Sequence, residues 1–392
     1  MSELLESRWT DTKTALLEGL DGNKKSVMAA TLENTRKYLS ESATAGATSA
    51  GNVATLNRVI LPVIRRVMPT VIANELVGVQ PMTGPVGQIH TLRVRYADAF
   101  NSTSGTDTAA GDEALSPFKI AEGYSGAAAD DKAAATSALE GAAGNRMSIQ
   151  ILKQTVEAKS RKLSARWTFE AAQDAQSQHG IDVEAEIMAA LAQEITAEID
   201  QEVLASLGSL AGTAAETYDQ SAVSGTATFV GDEHAALAVQ INRVSNLIAQ
   251  RTRRGAGNWA VVSPFALTIL QSATTSAFAR TTEGTFEAPT NTKMVGTLNN
   301  AMKVYVNTYA ADNSAVLIGY KGSSESDAAA FYCPYIPLMS SGVVLDPDTF
   351  EPTVSFMTRY GYVELNNTAS SLGNAADYLG KVDITNSAVS FS

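Results

Sequence analysis

The sequence holds one cysteine, three histidines and no surplus of positive charge, and each shortage closes off a class of function. Cys333 has no second cysteine with which to form an internal disulfide, so the fold is not built on oxidative cross-links. His90, His179 and His234 each stand without another histidine or a cysteine at metal-ligand spacing, which points to ordinary polar roles. Lys and Arg number 29 against 41 Asp and Glu, and the resulting charge of -12 has the wrong sign for a chain whose task is to grip phosphates. No apolar run of about 18 residues occurs, and the N-terminus lacks the basic-then-apolar order of a secretory signal. No membrane span is expected, and synthesis in a cytoplasm fits.

Catalytic motifs are missing too. There is no GxxxxGK[ST] and no GxSxG. The glycines of "GAGNWA" at 255–260 precede an expected strand, whereas a dinucleotide fingerprint follows one. In "DPDTFEP" at 346–352, Asp346, Asp348 and Glu351 crowd together, but Glu351 sits where a calcium loop needs glycine, so the segment reads as a turn. No catalytic, cofactor-binding or metal-binding residue is expected, and the chain is not read as an enzyme.

What the 392 residues do contain is enough apolar side chain, 45%, to bury a large core. The first 41 residues read as two short amphipathic helices broken at Asp21-Gly22-Asn23, with Leu5, Trp9, Leu16 and Leu20 on one and Val27, Met28, Leu32 and Leu39 on the other. Residues 42–52 are almost all Ser, Ala, Thr and Gly, a linker open to a protease. In "LPVIRRVMPTVIANELVGVQPM" (61–82), Pro62 and Pro69 each suit the first turn of a short helix, which leaves Arg65 and Arg66 on an exposed side.

Two segments alternate as strands: "IHTLRVRY" (89–96) and "KLSARWTF" (162–169). The Ala-, Gly-, Ser- and Asp-rich tract 99–147 lies between them, so they predict a two-stranded arm with a mobile tip or a small domain at its end. The segment 182–210 predicts a long helix, with Ile187, Leu191, Ile195, Ile199, Val203 and Leu207 repeating every fourth residue. It carries seven carboxylates and no Lys or Arg, while residues 153–166 carry Lys153, Lys159, Arg161, Lys162 and Arg166 against Glu157 alone. The two segments are complementary in charge, either to each other or between copies of the chain. An amphipathic helix at 233–253 is expected to stop at Gly255, and short strands and helices follow to the C-terminus.

Four stretches together carry a resemblance: "LPVIRRVMPTVIANELVGVQPMTGPVGQIHTLRVRY" (61–96), "VEAKSRKLSARWTFEAAQDAQSQHGIDVEAEI" (156–187), "GYKGSSESDAAAFYCPYIPL" (319–338) and "DPDTFEPTVSFMTRYG" (346–361). In content and order they resemble the major capsid proteins of T-even-type contractile-tailed phages. The resemblance implies an α+β chain with the tailed-phage major capsid fold, also called the Johnson fold. It further implies a helical propeptide or scaffold-like segment at 1–41, an N-terminal arm at 42–85 and an extended loop at 86–170 with an insertion reduced to 99–147. A peripheral domain at 171–232 and 345–392, and an axial domain at 233–344, complete the expected layout.

The function so implied is structural. Hexamers would assemble into an icosahedral or prolate shell around double-stranded DNA, which is enclosed without specific binding. The chain would reside in the virion capsid after assembly in the cytoplasm of a host bacterium. The expected partners are further copies of the chain, a vertex protein, a portal, a scaffold, a maturation protease and a decoration protein. Arg65, Arg66, Lys159, Arg161, Lys162 and Arg166 are candidates to meet carboxylates such as Glu194, Glu198 and Glu202 of a neighbouring subunit. The family's protease cuts after Glu in Leu/Ile-x-Glu, and Leu39-Ser40-Glu41 fits that pattern just before Ser42 and the linker; "LLE" at 4–6 and 16–18 matches as well. Two alternatives share the fold: the vertex paralogue that forms pentamers, and an encapsulin-type nanocompartment shell.

Overall fold

The computed structural model describes residues 13, 14, 17, 22, 25–34, 72–102, 107–112, 114, 123–126, 133–141, 144–179, 182–219, 230–272, 278–280, 293–299, 301–324, 327–346, 348–349, 351–365 and 375–385. The linker at 42–52, Pro62, Arg65, Arg66, Pro69, Leu39, Glu41 and Ser42 lie outside them. Two compact units emerge. The first gathers 1–87, 156–206 and 331–363, and the second 88–155, 207–330 and 364–392.

A five-stranded sheet organises the first unit. Its strands are β1 (Gly78–Val79), β4 (Lys159–Arg166), β11 (Ala330–Ser340), β12 (Val344–Leu345) and β13 (Pro352–Glu364), with β1 parallel to β11 and both β4 and β12 antiparallel to β13. Val354, Phe356 and Tyr360 of β13 are buried and alternate with Ser355, Met357 and Arg359 on the other face, the pattern of a sheet with one packed side. The long helix Val183–Leu210 is capped by Asp182, whose Oδ1 accepts the Glu184 N–H at 3.1 Å. It buries Leu191, Ile195, Ile199, Val203 and Leu207, as the four-residue repeat predicts, while Ile187 is only half-buried.

The sheet corrects one expectation. β2 (Val86–Tyr96) pairs with β3 (Met147–Glu157), and β4 joins the first unit's sheet along Lys159–Arg166, so "IHTLRVRY" and "KLSARWTF" are not partners. Apolar alternation marks a strand without naming its mate, because that choice is made by whichever long-range register buries more. β4 also ends at Arg166, before Trp167 and Phe169. Thr168 stops it: its Oγ1 accepts the Ala171 N–H at 3.4 Å at the start of the helix Phe169–His179, so the Trp-Phe alternation runs on into a helix cap.

The second unit has a seven-stranded sheet whose strands lie in the order β5 (Glu216–Asp219), β14 (Leu379–Thr385), β10 (Val316–Gly319), β6 (Trp259–Val262), β9 (Met302–Val306), β8 (Lys293–Leu298) and β7 (Phe278–Arg280). The helices Val230–Thr252 and Pro264–Ser272 contribute Leu237, Ile241, Ile248, Ile269 and Leu270 to one core with Val262, Val304, Val316 and Ile318. The first of these helices ends differently from the expectation. Arg253, at φ 49°, takes the left-handed position and donates its N–H to Ala249 O at 2.8 Å; Gly255 instead lies under the Tyr320 ring, 2.6 Å from where a Cβ would sit. Also in this unit, Phe100, Ala114 and Tyr124 of the tract at 99–147 form a small core with Tyr96 at the end of β2, beside Arg146, whose Nη2 lies 3.2 Å from Asp98 Oδ1.

Candidate functional site

With no catalytic constellation in the sequence, the informative chemistry lies where the basic strand meets the acidic helix. β4 and β13 pair with Arg161 opposite Thr358 and Lys159 opposite Tyr360, so these four side chains share the face that also carries Leu163 and Phe356. Lys162 and Arg166 project from the opposite face, next to Met357 and Thr353. The strand period of two therefore divides the four cations that the sequence groups together. Lys162 lines a shallow groove with Met339, Ser341 and Ser355, and Arg166 Nη1 lies 3.7 Å from Glu351.

Arg161 is the hub. Its Nη1 donates to Glu198 Oε2 and its Nη2 to Glu202 Oε2, both at 2.6 Å, and its Nε donates to Tyr360 Oη at 2.6 Å. The Tyr360 hydroxyl in turn donates to Glu202 Oε2. Glu198 and Glu202 stand four residues apart on the long helix, a spacing at which like charges repel; the planar guanidinium fork resolves that repulsion by facing both. For Glu202, burial favours the neutral acid but is outweighed: hydrogen bonds from Tyr360 and Arg161, with the charges of Arg161 and Lys159, hold its carboxyl below the usual range. Burial pushes the Tyr360 phenol up, and its hydrogen bond to Glu202 pushes the same way. The sequence expectation put these partners on neighbouring subunits. In the structure Arg161 meets both Glu198 and Glu202 inside its own chain, because β4 is an integral strand of the sheet on which this helix lies. Glu194, one turn earlier, is exposed, as is Lys159.

Two further groups in this unit gave no signal in the sequence. Asp200, between the two glutamates, points inward and is 3% exposed; its Oδ1 accepts the N–H of Ile72 at 2.8 Å. Burial raises its carboxyl to about 7, against the opposing pull of that hydrogen bond. Only its offset from the exposed Glu198–Glu202 pair, two residues from each, could have indicated an inward carboxylate. Tyr332 is wholly buried, its ring centroid 5.4 Å from that of Tyr360, and burial keeps its hydroxyl protonated far above the usual range. Cys333 beside it is buried and its thiol is pushed up to about 11 by desolvation, the state of a packing residue.

Among the described residues no group of His, Cys, Asp and Glu is arranged to hold a metal, and no helix is long and apolar enough to cross a membrane. His234 shares a hydrogen bond with Ser272 Oγ, and Asp346 Oδ1 accepts the Asp348 N–H at 3.1 Å in the expected turn.

Residues 53–384 match the family described as major capsid protein Gp23. The major capsid protein of Vibrio phage KVP40 is 30% identical, over 84% of this chain and 80% of its own length. That of Enterobacteria phage T4 is 30% identical over 86% of this chain and 80% of its own length. Among solved structures, one of Mycobacterium phage Cain superimposes with a TM-score of 0.47 at 12% identity, over 81% of this chain and 91% of that one.

Proposed function

Because the chain belongs to the Gp23 family of major capsid proteins, it is a structural protein of a tailed-phage capsid shell and not an enzyme, and from this we propose how it is built into that shell. The observation that carries the reading is the extent of the match, 53–384, which takes in nearly everything after the N-terminal segment and its linker.

In this reading the chain forms hexamers that close into an icosahedral or prolate shell around double-stranded DNA, and its charge of -12 lets packaged DNA slide without adhering. Residues 42–85 act as the N-terminal arm and 86–170 as the extended loop. The peripheral domain comprises 171–232 and 345–392, and the axial domain 233–344. A β2–β3 ribbon carrying a small core, a 28-residue helix and a separate seven-stranded sheet support that division. Since Arg161, Glu198 and Glu202 are engaged within one chain and Arg166 lies 3.7 Å from Glu351, Arg65, Arg66, Lys159, Lys162 and Glu194 are the candidates to meet neighbouring subunits. A protease cuts after Glu41, and vertex, portal, scaffold and decoration proteins complete the head, which assembles in the host cytoplasm.

The test is the intact mass of the chain in the fast-sedimenting fraction of a phage lysate. A shell-sized particle whose chain begins at Ser42 is the expected result. A particle whose chain retains residues 1–41 would remove the cleavage step, and a chain that stays at the top of the gradient would overturn the assembly reading.

A further inference from the structure

We propose that the first unit carries a docking site for an amphipathic helix, that its occupant is the chain's own segment 13–34, and that this segment stays docked after the linker behind it is cut. The segment is held at several points. Residues 25–34 are helical, and Val27, Met28, Thr31 and Leu32 share one face and are 4%, 2%, 0% and 1% exposed. Leu17 is buried too, and Lys13 Nζ lies 3.2 Å from Glu33 Oε2, which ties residue 13 to the helix at 25–34.

Asn34 gives the site its specificity. Its Nδ2 donates to Met82 O at 2.7 Å and to Tyr335 O at 3.1 Å. The chain leading to Met82 extends the parallel pairing of β1 with β11: Gln80 N donates to Tyr332 O at 3.1 Å and Met82 N to Pro334 O at 3.0 Å. Where this ladder ends, the amide of Asn34 takes the place of a further strand donor. A primary amide has two N–H groups, and both neighbours are carbonyl acceptors, so the nitrogen end must face them. The helix thus buries Val27, Met28, Thr31 and Leu32 at i, i+1, i+4 and i+5 and ends in a two-donor side chain at i+7 that meets two backbone carbonyls.

The inference rests on the proposed cut after Glu41 only for its timing in the life of the particle, since the docking itself does not depend on that cut. Its consequence is a non-covalent step: the severed segment covers the Met82 and Tyr335 carbonyls until it dissociates, and they become available to another chain only then.

The experiment uses the full chain with a foreign protease recognition sequence in place of residues 44–50, cut after folding. The severed fragment should co-elute with its body in gel filtration. Asn34→Asp keeps the shape but turns an oxygen toward both carbonyls, and should release the fragment at least tenfold faster; Asn34→Ala, which adds no charge, should also release it faster. Immediate release from the unsubstituted chain, or equal retention in both variants, overturns the proposal. Exchange of fragments between tagged and untagged chains before cutting would show a swapped occupant and overturn the assignment within one chain. Because the cut is artificial, failure here is distinguishable from failure of the natural cleavage reading, which the lysate mass tests alone.

Discussion

Replacing Asp200 by Asn should stabilise the protein at neutral and alkaline pH and remove part of its pH dependence. Asp200 is 3% exposed, its Oδ1 accepts a hydrogen bond from Ile72 N, and burial raises its carboxyl from 3.8 to about 7. Below about pH 4 the acid is neutral in both folded and unfolded chains and costs nothing. Between about 4 and 7 the unfolded chain loses its proton while the folded chain keeps it, so stability falls as pH rises; above 7 both are ionised and the loss levels off. At about 1.4 kcal/mol per pH unit, the interval amounts to about 4 kcal/mol. Asn keeps the Oδ1 acceptor for Ile72 and has no proton to lose, at a cost of about 1 kcal/mol for the extra buried N–H it introduces. The nearby Tyr332 stays neutral across this range and Glu202 stays ionised through most of it. Urea unfolding of the unassembled chain, followed by tryptophan fluorescence from pH 4.5 to 8.5, should give wild-type and Asp200→Asn curves that diverge up to about pH 7, then hold their separation and differ by about 3 kcal/mol at pH 8. Parallel curves would refute the argument, because they would mean that Asp200 ionises in the folded chain as it does in water.

Arg161→Ala leaves Glu198 and Glu202 facing each other, and since both are partly exposed the expected loss is about 2 kcal/mol after solvent screening, read from the urea midpoint. Arg161→Lys should recover less than half of it, because an ammonium cannot reach two carboxylates and Tyr360 with a planar fork; full recovery would show that charge alone matters. Gly319→Ala drives a methyl group into the Trp259 ring and should cost about 3 kcal/mol with a shift in tryptophan emission; an unchanged spectrum and midpoint would show that the ring has room to move.

Local pattern determined much of this molecule. The long helix follows from an apolar residue every fourth position behind the Asp182 cap, and the turn at 346–352 follows from its prolines and aspartates, because both depend on interactions within a few residues. Composition alone left Cys333 without a partner for an internal disulfide, and the four quoted stretches carried the capsid resemblance. The sequence also located the opposed charges of 153–166 and 182–210, though it could not pair them.

Pairing was decided by the tertiary structure. β2 found β3 and β4 found β13, because strand register is settled by burial over long separations, and Thr168 ended β4 where side-chain alternation would have carried it on. The same sheet turned Arg161 toward the helix and Lys162 away from it, although the two are adjacent and chemically alike in the sequence. Asp200 and Asn34 were silent for a related reason: a carboxylate on an acidic helix and an amide at the end of a short one gain meaning only from Ile72 N, Met82 O and Tyr335 O. Those backbone groups have the same chemistry at every residue, so only the folded chain selects which of them meets a side chain.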